Sequence, residues 1–272
     1  MEKLIITVAP TGSLPRKKDN PHVPITPEEI VACGIRCEAA GAAIIHVHVR
    51  NLEDESPSTD YGLFKEACEG LRSETRLIVQ ISTGGRAGVA YEQRSARLRL
   101  KPEMASLTTG SVNFPDSVYE NSPQLIAALA KDMHELGIKP EMEIFDVSMV
   151  QNAVTLAAAG LAAAPLHFDF VMGLKGAIPA TIENLVHLKS CIPAGATWTV
   201  AGIGPHQLPM TTLAIVMGGH CRVGLEDNVF YRKGEPASNE RLVERMVRIS
   251  AELGRDIASP DDARRILHLN RS

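Results

Sequence analysis

Short runs of apolar, often β-branched residues recur along the chain, separated by longer stretches whose apolar residues repeat every three to four positions. The first pattern predicts strands and the second predicts amphipathic helices. Strands are expected over Leu4–Ala9, Ala43–Val49, Leu77–Ser82, Met104–Thr108, Glu141–Phe145, Phe168–Met172, Thr197–Ala201 and Cys221–Leu225. Helices are expected from Thr26 onward and over Tyr61–Arg72, Pro123–Leu136, Ser148–Ala159, Thr181–Lys189, His206–Met217 and Asn239–Leu253. The first helix has a clear start: Thr26 as cap, Pro27 at the first helical position and Glu29 three residues after the cap. Ser259-Pro260-Asp261-Asp262 repeats the signal and predicts an extra C-terminal helix.

Strands alternating with helices in a chain of 272 residues match the size of a (β/α)8 TIM barrel. No Pro/Ser-rich linker or composition shift interrupts residues 1–272, so a single catalytic domain is expected. A doubly wound open sheet competes, but no GxGxxG follows the first strand. A net charge of −4 argues against nucleic acid or an anionic membrane as partner. Five cysteines without CxxC spacing disfavour a thiolate zinc knuckle or a disulfide framework. With no signal-like start and no apolar stretch of membrane length, a soluble cytoplasmic protein is expected.

Barrel enzymes place their chemistry at the carboxyl ends of the strands, and there the sequence departs from a plain core pattern. His46 and His48 lie two apart on the second strand, so both imidazoles share one face, with backbones about 6–7 Å apart. Such a pair can chelate one divalent metal; the plainer reading is two hydrogen-bonded core histidines. Glu226, just past the eighth strand, lies near the second strand in a closed barrel and could complete a His2Glu set; otherwise it caps a loop. Asp227 would then be free to act as a base, held and tuned by Arg222. Ser82-Thr83-Gly84-Gly85 offers hydroxyl and amide donors for an oxyanion, although such turns are common. Glu143, within the fifth strand, calls for an ion pair with an inward arginine such as Arg222. His167, His206 and His220 read mainly as structural, His220 standing at the amino end of its strand.

The motifs APTGS, HVHVR, STGGR, MASLTTGSVNF, KPEMEIFD and GGHCRVGLEDN, in that order, resemble the β-keto acid cleavage enzymes from Leu4 to the C-terminal helix. The best-known activity of that family is 3-keto-5-aminohexanoate cleavage. The resemblance implies a zinc-bearing (β/α)8 barrel, one zinc per subunit, usually homotetrameric. The implied reaction converts a β-keto acid and acetyl-CoA into acetoacetate and the acyl-CoA of the remaining chain by a retro-Claisen route. It also implies that His46, His48 and Glu226 bind the metal, and that Asp227 is the base with Arg222 and Glu143 in support. Ser82, Gly85 and Ser106 become substrate contacts, in the setting of Thr83 and Gly84.

One position departs from the pattern. Aminohexanoate-cleaving relatives carry an acidic residue shortly after APTG that meets the substrate ammonium, whereas Leu14 stands at the matching place here. A cationic tail would lose its counter-charge, so the 5-amino compound is not the expected substrate. An uncharged β-keto acid is expected first, and an anionic tail reaching Arg16 second. Rival readings are a metal-dependent hydrolase, an aldolase-type lyase and a barrel that binds a keto acid or CoA without turnover.

Overall fold

A computed structural model describes residues 1–85 and 88–269. Arg86 of the STGGR motif falls outside them. Eight parallel strands close into a barrel in chain order: Ile6–Val8, Ile44–Val47, Ile78–Ile81, Met104–Thr108, Lys139–Ile144, His167–Met172, Thr197–Gly202 and His220–Val223. The eighth strand pairs with the first, Cys221 beside Ile6 and Val223 beside Val8, which closes the ring. The helices α1 (Pro27–Ala40), α2 (Tyr61–Glu74), α3 (Tyr91–Ala96), α4 (Pro123–Leu136), α5 (Val147–Ala158), α6 (Ile182–Cys191), α7 (Gln207–Val216) and α8 (Asn239–Glu252) follow the strands in turn, and α9 (Pro260–Ile266) ends the chain. This is the expected (β/α)8 barrel with its extra C-terminal helix. The capping box at α1 forms as the sequence predicts: Thr26 Oγ1 accepts from the Glu29 amide, and Glu29 Oε2 accepts from the Thr26 amide.

Three features escaped the sequence pattern. The helix after the third strand is only Tyr91–Ala96, followed by a 3-10 turn over Arg97–Leu100. It is too short to show an apolar stripe. Three antiparallel ribbons also follow carboxyl ends of strands: Val49–Arg50 with Pro57–Ser58, Val112–Phe114 with Ser117–Tyr119, and Phe230–Arg232 with Glu235–Pro236. Their strands of two or three residues are too brief for alternation to register. As a result the second barrel strand ends at Val47, and Val49 belongs to a ribbon.

Apolar residues face outward to the helices, and the barrel interior is divided. At the amino end, Ile5, Ile44, Ile78 and Met104 form a fully buried layer against Ala258, Ala263 and Leu267 of the C-terminal segment. Backbone bonds join Leu4 to Asp256 and Ala258, holding α9 beneath this floor. Nearer the carboxyl ends the interior turns polar, with His46, Gln80, Ser106, Glu141, Asp169 and Arg222 all buried. Among the described residues, no helix is long and apolar enough to cross a membrane.

His220 is a structural histidine, as its place at the amino end suggests. Its Nδ1 accepts a hydrogen bond from the Ile5 amide at 3.1 Å. Burial, with His167 and Arg255 nearby, holds its pKa well below the ordinary value. Because the folded form keeps this imidazole neutral, acid protonates the unfolded chain first. Stability should therefore fall as pH drops below about 6.5, by about 1.4 kcal/mol per pH unit for each such histidine. Urea midpoints measured on either side of that pH should separate, and His220→Gln should narrow the gap. An unchanged gap in the variant would remove His220 from the acid response.

Candidate metal centre and active site

The HVHVR run reaches the barrel mouth at the end of the second strand. His46 is fully buried, and its Nδ1 lies 2.5 Å from Gln80 Oε1 on the neighbouring third strand. A carboxamide oxygen can only accept, so Nδ1 carries the proton and the Nε2 lone pair is left free. That Nε2 stands 3.2 Å from His48 Nε2. Glu226 Oε1 lies 3.4 Å from His48 Nε2 and 3.9 Å from His46 Nε2. The three residues thus bring one donor atom each within 4.8 Å of one another. Glu226 Oε2 is buried without a hydrogen-bond partner. Two imidazoles and an unpartnered carboxylate oxygen fit a divalent cation with an open coordination position.

The third donor is held by backbone geometry at both ends of the chain. Gly224 has φ 146°, and a Cβ there would lie 2.1 Å from the Ala9 carbonyl oxygen. Only glycine lets the eighth strand turn so close to the first. The turn is then fixed by neighbours: Gln207 Nε2 donates to the Gly224 carbonyl, and Asn239 Oδ1 accepts from the Leu225 amide. Gly12 of the APTGS loop, at φ 59°, lies so close that a Cβ would meet Glu226 Cγ at 2.5 Å. Arg50 anchors this loop from below, donating to the carbonyls of Thr11, Gly12 and Pro15. The conformations of APTGS and GLEDN are therefore mutually dependent.

Arg222 organises the acids. Its Nε and Nη2 donate to the two oxygens of Asp227, both at 2.9 Å, and Nη2 also donates to Glu226 Oε1 at 2.7 Å. Its Nη1 stands 3.5 Å from Asp169 Oδ2 and 3.8 Å from Glu143 Oε1. The expected ion pair with Glu143 is present at 3.8 Å without a hydrogen bond, while the hydrogen bonds go to the turn that carries Glu226 and Asp227. Burial opposes ionisation of Glu226, but Arg222 and the two imidazoles hold its pKa well below the ordinary value. Burial pushes Asp227 up to about 6, with Arg222 opposing. Burial and the Glu141 carboxylate push Asp169 well above its ordinary range.

The Ser82-Thr83-Gly84-Gly85 turn borders this cluster, but its donors are partly committed. Ser82 Oγ accepts from the Gly84 amide, and Thr83 Oγ1 donates to the Ser106 carbonyl at 2.6 Å. Ser106 Oγ is buried without a partner. Gly85 packs on Val89, where a Cβ would come within 2.7 Å of the valine Cβ. Two buried arginines missed by sequence reasoning shape the turn. Arg94 donates to the Thr83 carbonyl, and Arg97 to those of Ser82 and Gly84. Both lie beyond the recognisable motif, in the short helical stretch that the apolar pattern did not reveal. Leu14 stands apart, 69% exposed at the loop tip. Next to it, Arg16 Nη1 donates to the carbonyls of Ser13 and Leu14. His167 pairs with Glu141 at 3.1 Å, deep in the barrel.

Known proteins resemble this chain in sequence and in fold. A chain of Cupriavidus necator named 3-oxoadipate:acetyl-CoA acetyltransferase is 48% identical over 97% of this chain and 94% of its own. One of Fusobacterium nucleatum named 3-keto-5-aminohexanoate cleavage enzyme is 46% identical over the full length of both. Among solved structures, apo ObcA superposes with a TM-score of 0.79 at 21% identity, covering 92% of this chain and 66% of that longer one, a likeness of fold alone. The defining pattern of the beta-keto acid cleavage enzymes matches residues 3–269. The chain therefore belongs to the beta-keto acid cleavage enzyme family.

Proposed function

We propose that the protein is a zinc-dependent β-keto acid cleavage enzyme, converting a β-keto acid and acetyl-CoA into acetoacetate and an acyl-CoA. The observation that carries this reading is the meeting of His46, His48 and Glu226 beside an Asp227 clamped by Arg222. His46, His48 and Glu226 would hold one zinc per subunit. Bound there, the metal would supply Lewis acidity to a substrate carbonyl. Asp227 is the base: an ordinary carboxylate suffices for a carbon flanked by two carbonyl groups once one of them is polarised. Arg222 orients Asp227 through two hydrogen bonds, and Glu143 supports the guanidinium from its far side. Ser82, Gly85 and Ser106, on the neighbouring strand ends with Thr83 and Gly84, receive substrate oxygens where negative charge develops. In the overall exchange the α-carbon bonds to the acetyl carbonyl carbon as the thioester C–S bond breaks. Its own bond to the former keto carbon breaks as the coenzyme A sulfur bonds there, and the proton taken by Asp227 returns to the α-carbon.

Charge favours a dication at this place. Arg222 is the guanidinium among Glu226, Asp227, Asp169 and Glu143. Burial pushes Glu143 and Asp169 toward their neutral forms, and a divalent ion would offset the negative charge that remains in the buried site. Residues 1–272 acting as one catalytic domain, a homotetrameric assembly and a cytoplasmic location belong to the same proposal.

The substrate is proposed to lack the 5-amino group. Leu14 leaves no carboxylate at the matching position of the first loop to receive an ammonium. A second reading, an anionic tail met by Arg16, is favoured by the name of the Cupriavidus relative, although Arg16 Nη1 here donates to its own loop's carbonyls.

Asp227→Asn should abolish turnover while leaving bound zinc near the wild-type amount; full activity in that variant would remove Asp227 from the mechanism. Gly12→Ala should displace Glu226 and weaken zinc binding by about tenfold or more, as disturbance of a ligand's support does elsewhere. Calorimetric zinc titration of the apo protein measures this, and unchanged affinity would contradict the packing argument. In a panel of β-keto acids with acetyl-CoA, unsubstituted or carboxylate-bearing chains should exceed 3-keto-5-aminohexanoate in kcat/KM. Preference for the aminated acid would overturn the specificity reading.

A further inference from the structure

Glu143 is a buried carboxylate with one short polar contact among the described residues. Thr108 Oγ1 donates to its Oε2 at 2.5 Å, while Arg222 Nη1 lies 3.8 Å from its Oε1, beyond hydrogen-bond reach. A hydroxyl has a single proton. With that proton given to Glu143, the Thr108 oxygen can only accept from Tyr119, whose hydroxyl lies 3.1 Å away. The contacts form a directed chain from Tyr119 through Thr108 to Glu143.

Tyr119 comes from the ribbon after the fourth strand, and its ring is fixed on several sides. It stacks on Phe114 with centroids 6.3 Å apart and meets Phe145 edge-on at 6.4 Å. The Arg94 guanidinium lies over the ring at 5.7 Å. The same arginine holds the Thr83 carbonyl, so the ribbon and the Ser82–Gly85 turn are braced together. A Cβ on Gly84 would stand 3.2 Å from the Tyr119 hydroxyl and 3.0 Å from Ser82 Oγ. The phenol thus joins the turn proposed to receive substrate to the acid proposed to support Arg222.

We propose that Thr108 and Tyr119 are positioning residues for the cleavage reaction, holding the Glu143 carboxylate against Arg222 and thereby fixing the guanidinium that orients Asp227. The proposal rests on the assignment of Asp227 as base with Arg222 and Glu143 in support. Neither residue touches the metal ligands in the described contacts, so their loss should act on the chemical step and not on zinc binding.

Thr108→Val keeps the shape of the side chain and removes the hydroxyl. It should lower kcat about ten- to a hundredfold, the worth of a hydrogen bond to a charged group, with KM for acetyl-CoA and bound zinc within about twofold of wild type. Thr108→Ser, which restores the donor, should recover most of the rate, a rescue that a packing role would not give. Tyr119→Phe should show a smaller loss of the same kind, about three- to tenfold. A kcat near wild type in Thr108→Val, or no recovery in Thr108→Ser, would overturn the proposal, and an unaffected Tyr119→Phe would sever its outer link. Asp227→Asn and Glu143→Gln measured alongside separate the two levels. An inert Asp227→Asn with a fully active Glu143→Gln sinks the positioning chain and leaves the base in place. An active Asp227→Asn sinks both.

Discussion

One guanidinium buried among four carboxylates sets the terms for the rest of the site. Arg222 touches Asp227 and Glu226 and lies close to Asp169 and Glu143. Removing so many acids from water is costly unless opposite charge and hydrogen bonds accompany them. The arginine meets part of that cost, and its own charged form is held well above the usual range because, although burial opposes it, Asp227, Glu226, Asp169 and Glu143 crowd around it. Asp169 and Glu143 relieve some of the remainder by favouring their neutral forms. The two imidazoles stand at the edge of this cluster, where a cation would complete the balance.

The barrel makes such a cluster tolerable by separating its jobs along the axis. Helix-facing positions carry the apolar residues, so the core that stabilises the chain lies mostly outside the strands. The amino end is closed by an apolar layer on α9. The carboxyl half of the interior is therefore free to hold polar groups whose partners come from adjacent strands: Gln80 for His46, Thr108 for Glu143 and His167 for Glu141. Parallel register matters because it sets His46 level with Gln80 and Thr108 level with Glu143.

Much of this was legible in the chain. Period-two and period-3.6 patterns marked the eight strands and the long helices, because one face of each packs continuously against the other layer. The His46/His48 spacing announced a shared face, and the position of Glu226 after the last strand put it within reach once closure was assumed. The partners that hold the site were not legible. Gln80, Gln207 and Asn239 are ordinary polar residues whose role comes from tertiary register, and nothing local distinguishes them. Arg94 sits on a short helix, Arg97 on the 3-10 turn after it and Tyr119 on a three-residue strand, all too brief to leave a periodic trace. Gly12 was visible as a loop residue and Gly224 was read within the expected strand Cys221–Leu225, which in the structure ends at Val223. The close approaches that require both glycines join the two ends of the polypeptide.

The floor built by Ile5, Ile44, Ile78, Met104 and α9 has a kinetic consequence. With that end shut, the described residues leave the triad to be reached from the carboxyl side, where the two reactants of the proposed exchange would share one mouth. The one that settles deeper would then arrive first, and its product would depart last. Traffic through that mouth, as much as bond making, would set how quickly one cycle follows another.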